Sequence, residues 1–206
     1  MKTISLRSGI IAMIILLVVH KVVYIFGPFV CESIVQKGFA RDIVITHYDY
    51  ILFGTSVINS LGYIVLGFLM AQTDRKNLLF LWGSRFMAIT GIISLVYVII
   101  AFVASKISIF SLSADIKVPF LIAESLFGWA ALIMIACYYG KNKLIRLAIM
   151  YIILSMISKG HYVWALLTQE NYHPNYALGL FLSLIGSVLI LIYFFKWLKL
   201  TQTETE

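Results

Sequence analysis

Residues 78–104 read LLFLWGSRFMAITGIISLVYVIIAFVA, with Arg85 the one charged side chain among them. At 1.5 Å rise per residue such a run makes a helix about 40 Å long, more than the roughly 30 Å hydrocarbon core of a bilayer. A transmembrane β-strand would alternate apolar and polar residues with period two. This run does not alternate, so it reads as a membrane-spanning helix.

The same pattern recurs on both sides of it. Before it lie apolar runs at 8–30 and 50–71, and after it runs at 118–139, 144–167 and 176–197. Six spans with short connections use almost the whole chain of 206 residues, which is 62% hydrophobic and 12% charged. Soluble domains carry about twice that share of charge. The expected fold is therefore an all-α integral membrane protein, one bundle of about six transmembrane helices over residues 1–200. A polar tail at 201–206 is expected to be disordered.

The N-terminus imitates a signal peptide, with Lys2 and Arg7 ahead of an apolar run. No small-residue cleavage site follows, and the apolar pattern resumes after Lys21, so a retained first span is expected.

Loop charge sets the orientation. One side collects ten basic residues: Lys2, Arg7, Arg75, Lys76, Arg85, Lys141, Lys143, Arg146, Lys196 and Lys199. The other collects four: Lys37, Arg41, Lys106 and Lys117. The positive-inside bias puts both termini in the cytoplasm, in a plasma (inner) membrane. The formal charge of +7 then reads as contact with anionic headgroups and not with nucleic acid.

Finer features follow from this topology. Residues 74–77 and 140–143 read as tight cytoplasmic turns. All three prolines, Pro28, Pro119 and Pro174, fall at outer helix ends. Residues 32–44 space Ile34, Val35, Phe39 and Ile43 as an amphipathic helix on the outer surface would, and 107–112 do likewise. Trp164, Tyr172 and Tyr176 suit an outer aromatic belt, Trp82 and Trp197 an inner one. Small residues at helical spacing (Ser56 with Ser60, Ser84 with Ala88, and Gly179, Ser183 and Ser187) suit close helix packing or an interface with another chain. Cys31 and Cys137 fall near opposite bilayer faces, too far apart for a disulfide within one chain.

The polar residues inside spans bear most on function. They are His20 and Lys21 in span one, Asn59 in span two, Glu124 in span four, and Lys159 and His161 in span five. A Lys or Glu at the centre of a span costs about 2.5–3.5 kcal/mol on insertion scales, so such groups face the bundle interior and mark function or pairing. Counted from the outer helix ends they share a depth. Lys21 is nine residues before Val30, Asn59 nine after Tyr50, Glu124 six after Val118, and Lys159 eight before Leu167. The expectation is one polar layer in the outer half of the bilayer, with Glu124 paired to Lys159 or Lys21. Tyr24 and Tyr162, one turn from the lysines, would extend it, and Gly128 would leave space beside Glu124.

Two readings of that layer stay open. It is either a pocket for a small molecule or ion, in which the lysines hold an anionic group and Glu124 balances them or carries a proton, or a structural ion-pair network with snorkelling lysines. His20 and His161 offer axial ligands for a b-type haem, though no cofactor is expected. His47 and Asp49 offer two metal ligands, and a metal site needs more. Ser155 and Lys159 have the one-turn spacing of a serine–lysine nucleophile pair. No metalloprotease, nucleophile-elbow, phosphate-loop or C-x-x-C motif occurs. The function classes left are a membrane binding or transport protein, then an accessory protein that partners a membrane protein or its own copy, then a membrane enzyme acting on lipid or haem.

Overall fold

The computed structural model describes residues 5–107, 114–168 and 176–203, without the side chains of 107, 114–115, 164–168, 176–180 and 202–203. It is all helix: α1 Leu6–Gln36, α2 Arg41–Thr73, α3 Leu78–Ile107, α4 Ala114–Tyr139, α5 Asn142–Thr168 and α6 Tyr176–Thr203. All six are long and apolar enough to cross a membrane. The chain is a multi-pass membrane protein, and its helices contain the six expected spans. The first residues of the polar tail, 201–203, continue α6.

Each helix packs on the next, and α6 returns to α1, so the six close a ring. Neighbours run antiparallel. Along α1 and α2, Gly9 faces Leu66 and Leu69, Gly62 faces Leu16 and Met13, and Gly27 faces Tyr48. Along α3 and α4, Phe80 meets Tyr138 and Tyr97 meets Phe120. The start of α1 and the finish of α6 therefore share one end of the ring, called the near end below.

Turns at the near end are fixed by side chains. Asp74 accepts from the Lys76 and Asn77 amides at 3.1 and 3.2 Å, and Asn77 caps α3 by accepting from Leu79 and Phe80. Gly140, at φ +58°, ends α4 in the left-handed conformation that favours glycine. The Tyr138 hydroxyl donates to Asp74 at 3.1 Å and ties the end of α4 to the α2–α3 turn.

Among the described residues, the most deeply buried apolar side chains gather toward the near end. Ile10 and Met13 of α1, Met70 of α2, Phe80 of α3, Ile135 of α4 and Leu144 of α5 are all 0–1% exposed. Tyr193, Phe194 and Trp197 of α6 complete this cluster, and every member lies in the near half. Lipid tails solvate apolar side chains as well as protein does, so what holds this plug is close packing, not water exclusion. Tyr193 adds a hydrogen bond across it, donating to the Leu132 carbonyl at 2.7 Å.

Three expectations are corrected. Residues 32–44 are not a separate surface helix: α1 continues to Gln36, Gly38 at φ +97° breaks the chain, and α2 starts at Arg41. Both helices exceed 30 residues, so they are about 45 Å or longer and overrun the hydrocarbon as a helical hairpin. Pro28 lies inside α1 and Pro119 inside α4, not at their ends. Trp197 belongs to no interfacial belt, because it is fully buried against Phe194. Ser84 and Ala88 do mediate close packing, but their partner is Gly67 of α2. Trp82 is 44% exposed with Arg85 4.9 Å over its ring, as an interfacial tryptophan would be. Residues 108–112, Pro174 and Tyr172, and the side chains of Ile107, Trp164, Tyr176 and the stripe's Gly179 fall outside what is described.

Candidate functional site

Above the plug the six helices contribute polar residues at one level. Contacts between neighbours fix that level without any assumption about the membrane. Ser60 of α2 and Ser94 of α3 are hydrogen-bonded at 3.1 Å, so Asn59 sits at the depth of Ser94. Thr90 of α3 lies against Gly128 of α4, which places Glu124, one turn on, beside that same level. Lys159 of α5 donates from Nζ to the Ser125 hydroxyl at 2.6 Å. On the α1 side, Gly62 packs against Leu16, so His20 and Lys21 come about one turn from Asn59 in depth.

Two cavities occupy this level. The central one, of about 60 Å³, is bordered by Glu124, Ser125, Lys159, Tyr63, Thr90 and Tyr151, over a floor that includes Met87, Leu132 and Phe194. The second, of about 130 Å³, lies between α1, α5 and α6 and is bordered by Lys21, Lys159, Ser155, Ser158, Ser183 and Ser187. Lys159, Tyr151 and Ile190 border both, so the two cavities adjoin across a common wall and are called the compartments of the chamber below. A water needs roughly 10–15 Å³ of such space, so each compartment is roomy enough for water.

The expected direct ion pair does not form. Among the described residues, neither Lys21 nor Lys159 has a carboxylate within 4.0 Å. Lys159 spends its hydrogen bond on Ser125, whose own proton goes to the Leu121 carbonyl one turn back. Lys21 lies 5.7 Å from the Tyr24 ring centroid, within cation–π range. Glu124 stands alone in the central compartment as its one carboxylate.

The other candidates divide. His20 Nδ1 and Asn59 Oδ1 are buried with no hydrogen-bond partner. They border neither cavity, yet orphaned polar atoms at that depth are costly unless water or a ligand reaches them. Tyr24 and Tyr162 are each 47% exposed and border neither compartment. His161 is half-buried on α5 and borders neither compartment. His20 and His161 share no cavity into which a haem could be placed between them, since neither borders either compartment. Among the described residues the Lys159 ammonium bonds Ser125 and not Ser155, so the serine–lysine pair is not assembled, although both Ser155 and Lys159 border one compartment. His47 Nδ1 lies 2.8 Å from the Ile43 carbonyl, and no three metal-ligating residues converge among the described residues.

Sequence reasoning missed Ser125, Tyr151 and Ser158, and took Ser183 and Ser187 for packing residues. The available signal was spacing: Ser155 and Ser158 precede Lys159 on one helical face, and Ser183 and Ser187 are one turn apart. No protein-family model, curated protein or solved structure matches the chain.

Proposed function

We propose that the protein is a plasma-membrane binding or transport protein for a small molecule or ion, taken into the chamber from outside the cell. The near end, with both termini, faces the cytoplasm in this reading, because it carries the basic turns. The observation that supports it best is Lys21, Glu124 and Lys159 around two adjoining cavities, above a packed apolar plug. Three ionisable side chains inside a bilayer are expensive to keep, and a purely structural network would pair them directly. Their separation by cavities and by Ser125 leaves charges for a guest to satisfy.

A closed near half and a polar far half also match one state of an alternating-access cycle, in which the site is reached from one side at a time. Passage to the cytoplasm would then need the α6 aromatics Tyr193, Phe194 and Trp197 to move. A site that only binds needs no such motion.

Native mass spectrometry of the protein purified in mild detergent tests the reading. A stoichiometric bound small molecule is expected in the wild type, lost in Lys159→Gln and in Glu124→Gln at unchanged expression. An empty chain, carrying only a partner protein or further copies of itself, would replace this reading with that of an accessory membrane protein.

A further inference from the structure

We infer that the compartment between α1, α5 and α6 is a binding site for a small anion, with Lys21 and Lys159 supplying charge and serine hydroxyls of α5 and α6 supplying directed hydrogen bonds. The inference rests on the chamber reading above and adds the chemical class of the guest.

Charge balance comes first. Two ammonium groups border this compartment and no carboxylate does. The nearest acid, Glu124, borders the neighbouring compartment and is beyond 4.0 Å of both lysines. One carboxylate against two lysines leaves an unbalanced positive charge in a low-dielectric site, where an unpaired ion costs several kcal/mol. An anion removes that cost, whereas a cation or an apolar guest would add to it.

The rest of the lining fits the same guest. Ser155, Ser158, Ser183 and Ser187 present four hydroxyls from two helices, and Gly186 between the last two leaves the wall open. Ser187 now donates to the Ser183 carbonyl at 2.6 Å, and that carbonyl keeps its helical amide bond if the hydroxyl turns away. Hydroxyl protons can thus be handed to a guest at small cost. Lysine is a point charge with three rotatable donors, so the site selects charge and size more than the planar geometry an arginine fork would demand. A volume of about 130 Å³ admits chloride, a short carboxylate or phosphate.

The test is thermal unfolding of the purified protein in neutral detergent at fixed ionic strength, replacing sodium gluconate stepwise by sodium chloride, acetate or phosphate. At least one small anion is expected to raise the midpoint saturably. Lys21→Gln should weaken that response about tenfold or more, the Ser183→Ala/Ser187→Ala double variant should weaken it several-fold, and Arg75→Gln at the near-end turn should leave it intact. If Lys21→Gln fails to fold, the serine variant and Lys21→Arg carry the test, since Arg keeps the charge and should retain binding. Midpoints that coincide in all four salts, or that respond equally in Lys21→Gln and Arg75→Gln, overturn the proposal. A bound neutral or cationic molecule in the native mass spectrum, with no anion response, overturns the anion site and leaves the chamber reading standing. An empty protein in both experiments overturns both.

Discussion

At the scale of single residues, the chamber depends on how few charges enter the membrane and where they sit. Of sixteen Lys and Arg residues only Lys21 and Lys159 lie deep inside a span, and both border one compartment. Lys159 fastens α5 to α4 through Ser125, so Ser125→Ala should free the ammonium and change guest affinity more than stability. Titration of a bound guest, compared with the unfolding midpoint of the same variant, checks this. Asp74 behaves differently because it sits in a turn outside the spans. Above all the Asn77 amide, then the Tyr138 hydroxyl, the Lys76 amide and the Lys76 charge, hold its carboxyl below the usual range, against a smaller effect of desolvation. A carboxyl lowered on folding contributes stability above its unfolded value of 3.8, and that contribution is lost as pH falls through the lower folded value. Asp74→Asn should therefore be less stable than wild type at pH 7, with the gap closing below about pH 4; midpoints measured across that range check it.

At the scale of helices, the close approaches are made by glycine. A Cβ on Gly67 would come 2.6 Å from the Ser84 carbonyl, and one on Gly91 would come 2.6 Å from the Ser60 carbonyl, so α2 and α3 pack backbone to backbone. Gly54 and Gly160 have nothing within 4 Å of the same point. Gly91→Ala should then destabilise by roughly 1–3 kcal/mol through forced separation. Gly54→Ala should be neutral or stabilising by up to about 1 kcal/mol, because alanine favours the helix. Denaturation of the two variants side by side separates the effects. The six helices were legible in the sequence because lipid demands continuous apolar runs, and the 74–77 and 140–143 turns because Asp, Asn and Gly have local reasons to sit there. The 32–44 helix misled: Ile34, Val35, Phe39 and Ile43 carry a helical period, but the break at Gly38 leaves the first two on α1, Phe39 in the connection and Ile43 on α2. Trp197 misled for a related reason, since a tryptophan near a helix end looks the same whether it faces lipid or the axis.

At the scale of the whole molecule, the ring places a packed half beneath a polar half. The common depth of Lys21, Asn59, Glu124 and Lys159 could be read by counting from helix ends, because α-helical rise converts sequence distance directly into depth. Which of them face the axis could not, because neighbouring helices set rotation about each helix. That is why Tyr24 and Tyr162 drop away while Ser125, Tyr151 and Ser158 enter. Orientation also belongs to this scale. A fluorescent reporter fused after residue 206 should mature in the cytoplasm, and alkaline phosphatase at the same position should stay inactive; the reverse pattern would invert the chamber.

The central claim is that the chamber opens outward over a closed floor. The direct measurement is the reaction of a single cysteine with a membrane-impermeant thiol reagent on intact cells. Cys31 and Cys137 are first replaced by serine, and cysteines are then introduced separately at Ser158, in the chamber wall, and Met87, at its floor. Ser158→Cys is expected to be labelled from outside, saturating small anion to slow that labelling, and Met87→Cys to be labelled far more slowly. Labelling of Ser158→Cys only from the cytoplasmic side of inverted vesicles, or equal labelling of both positions, would contradict that claim.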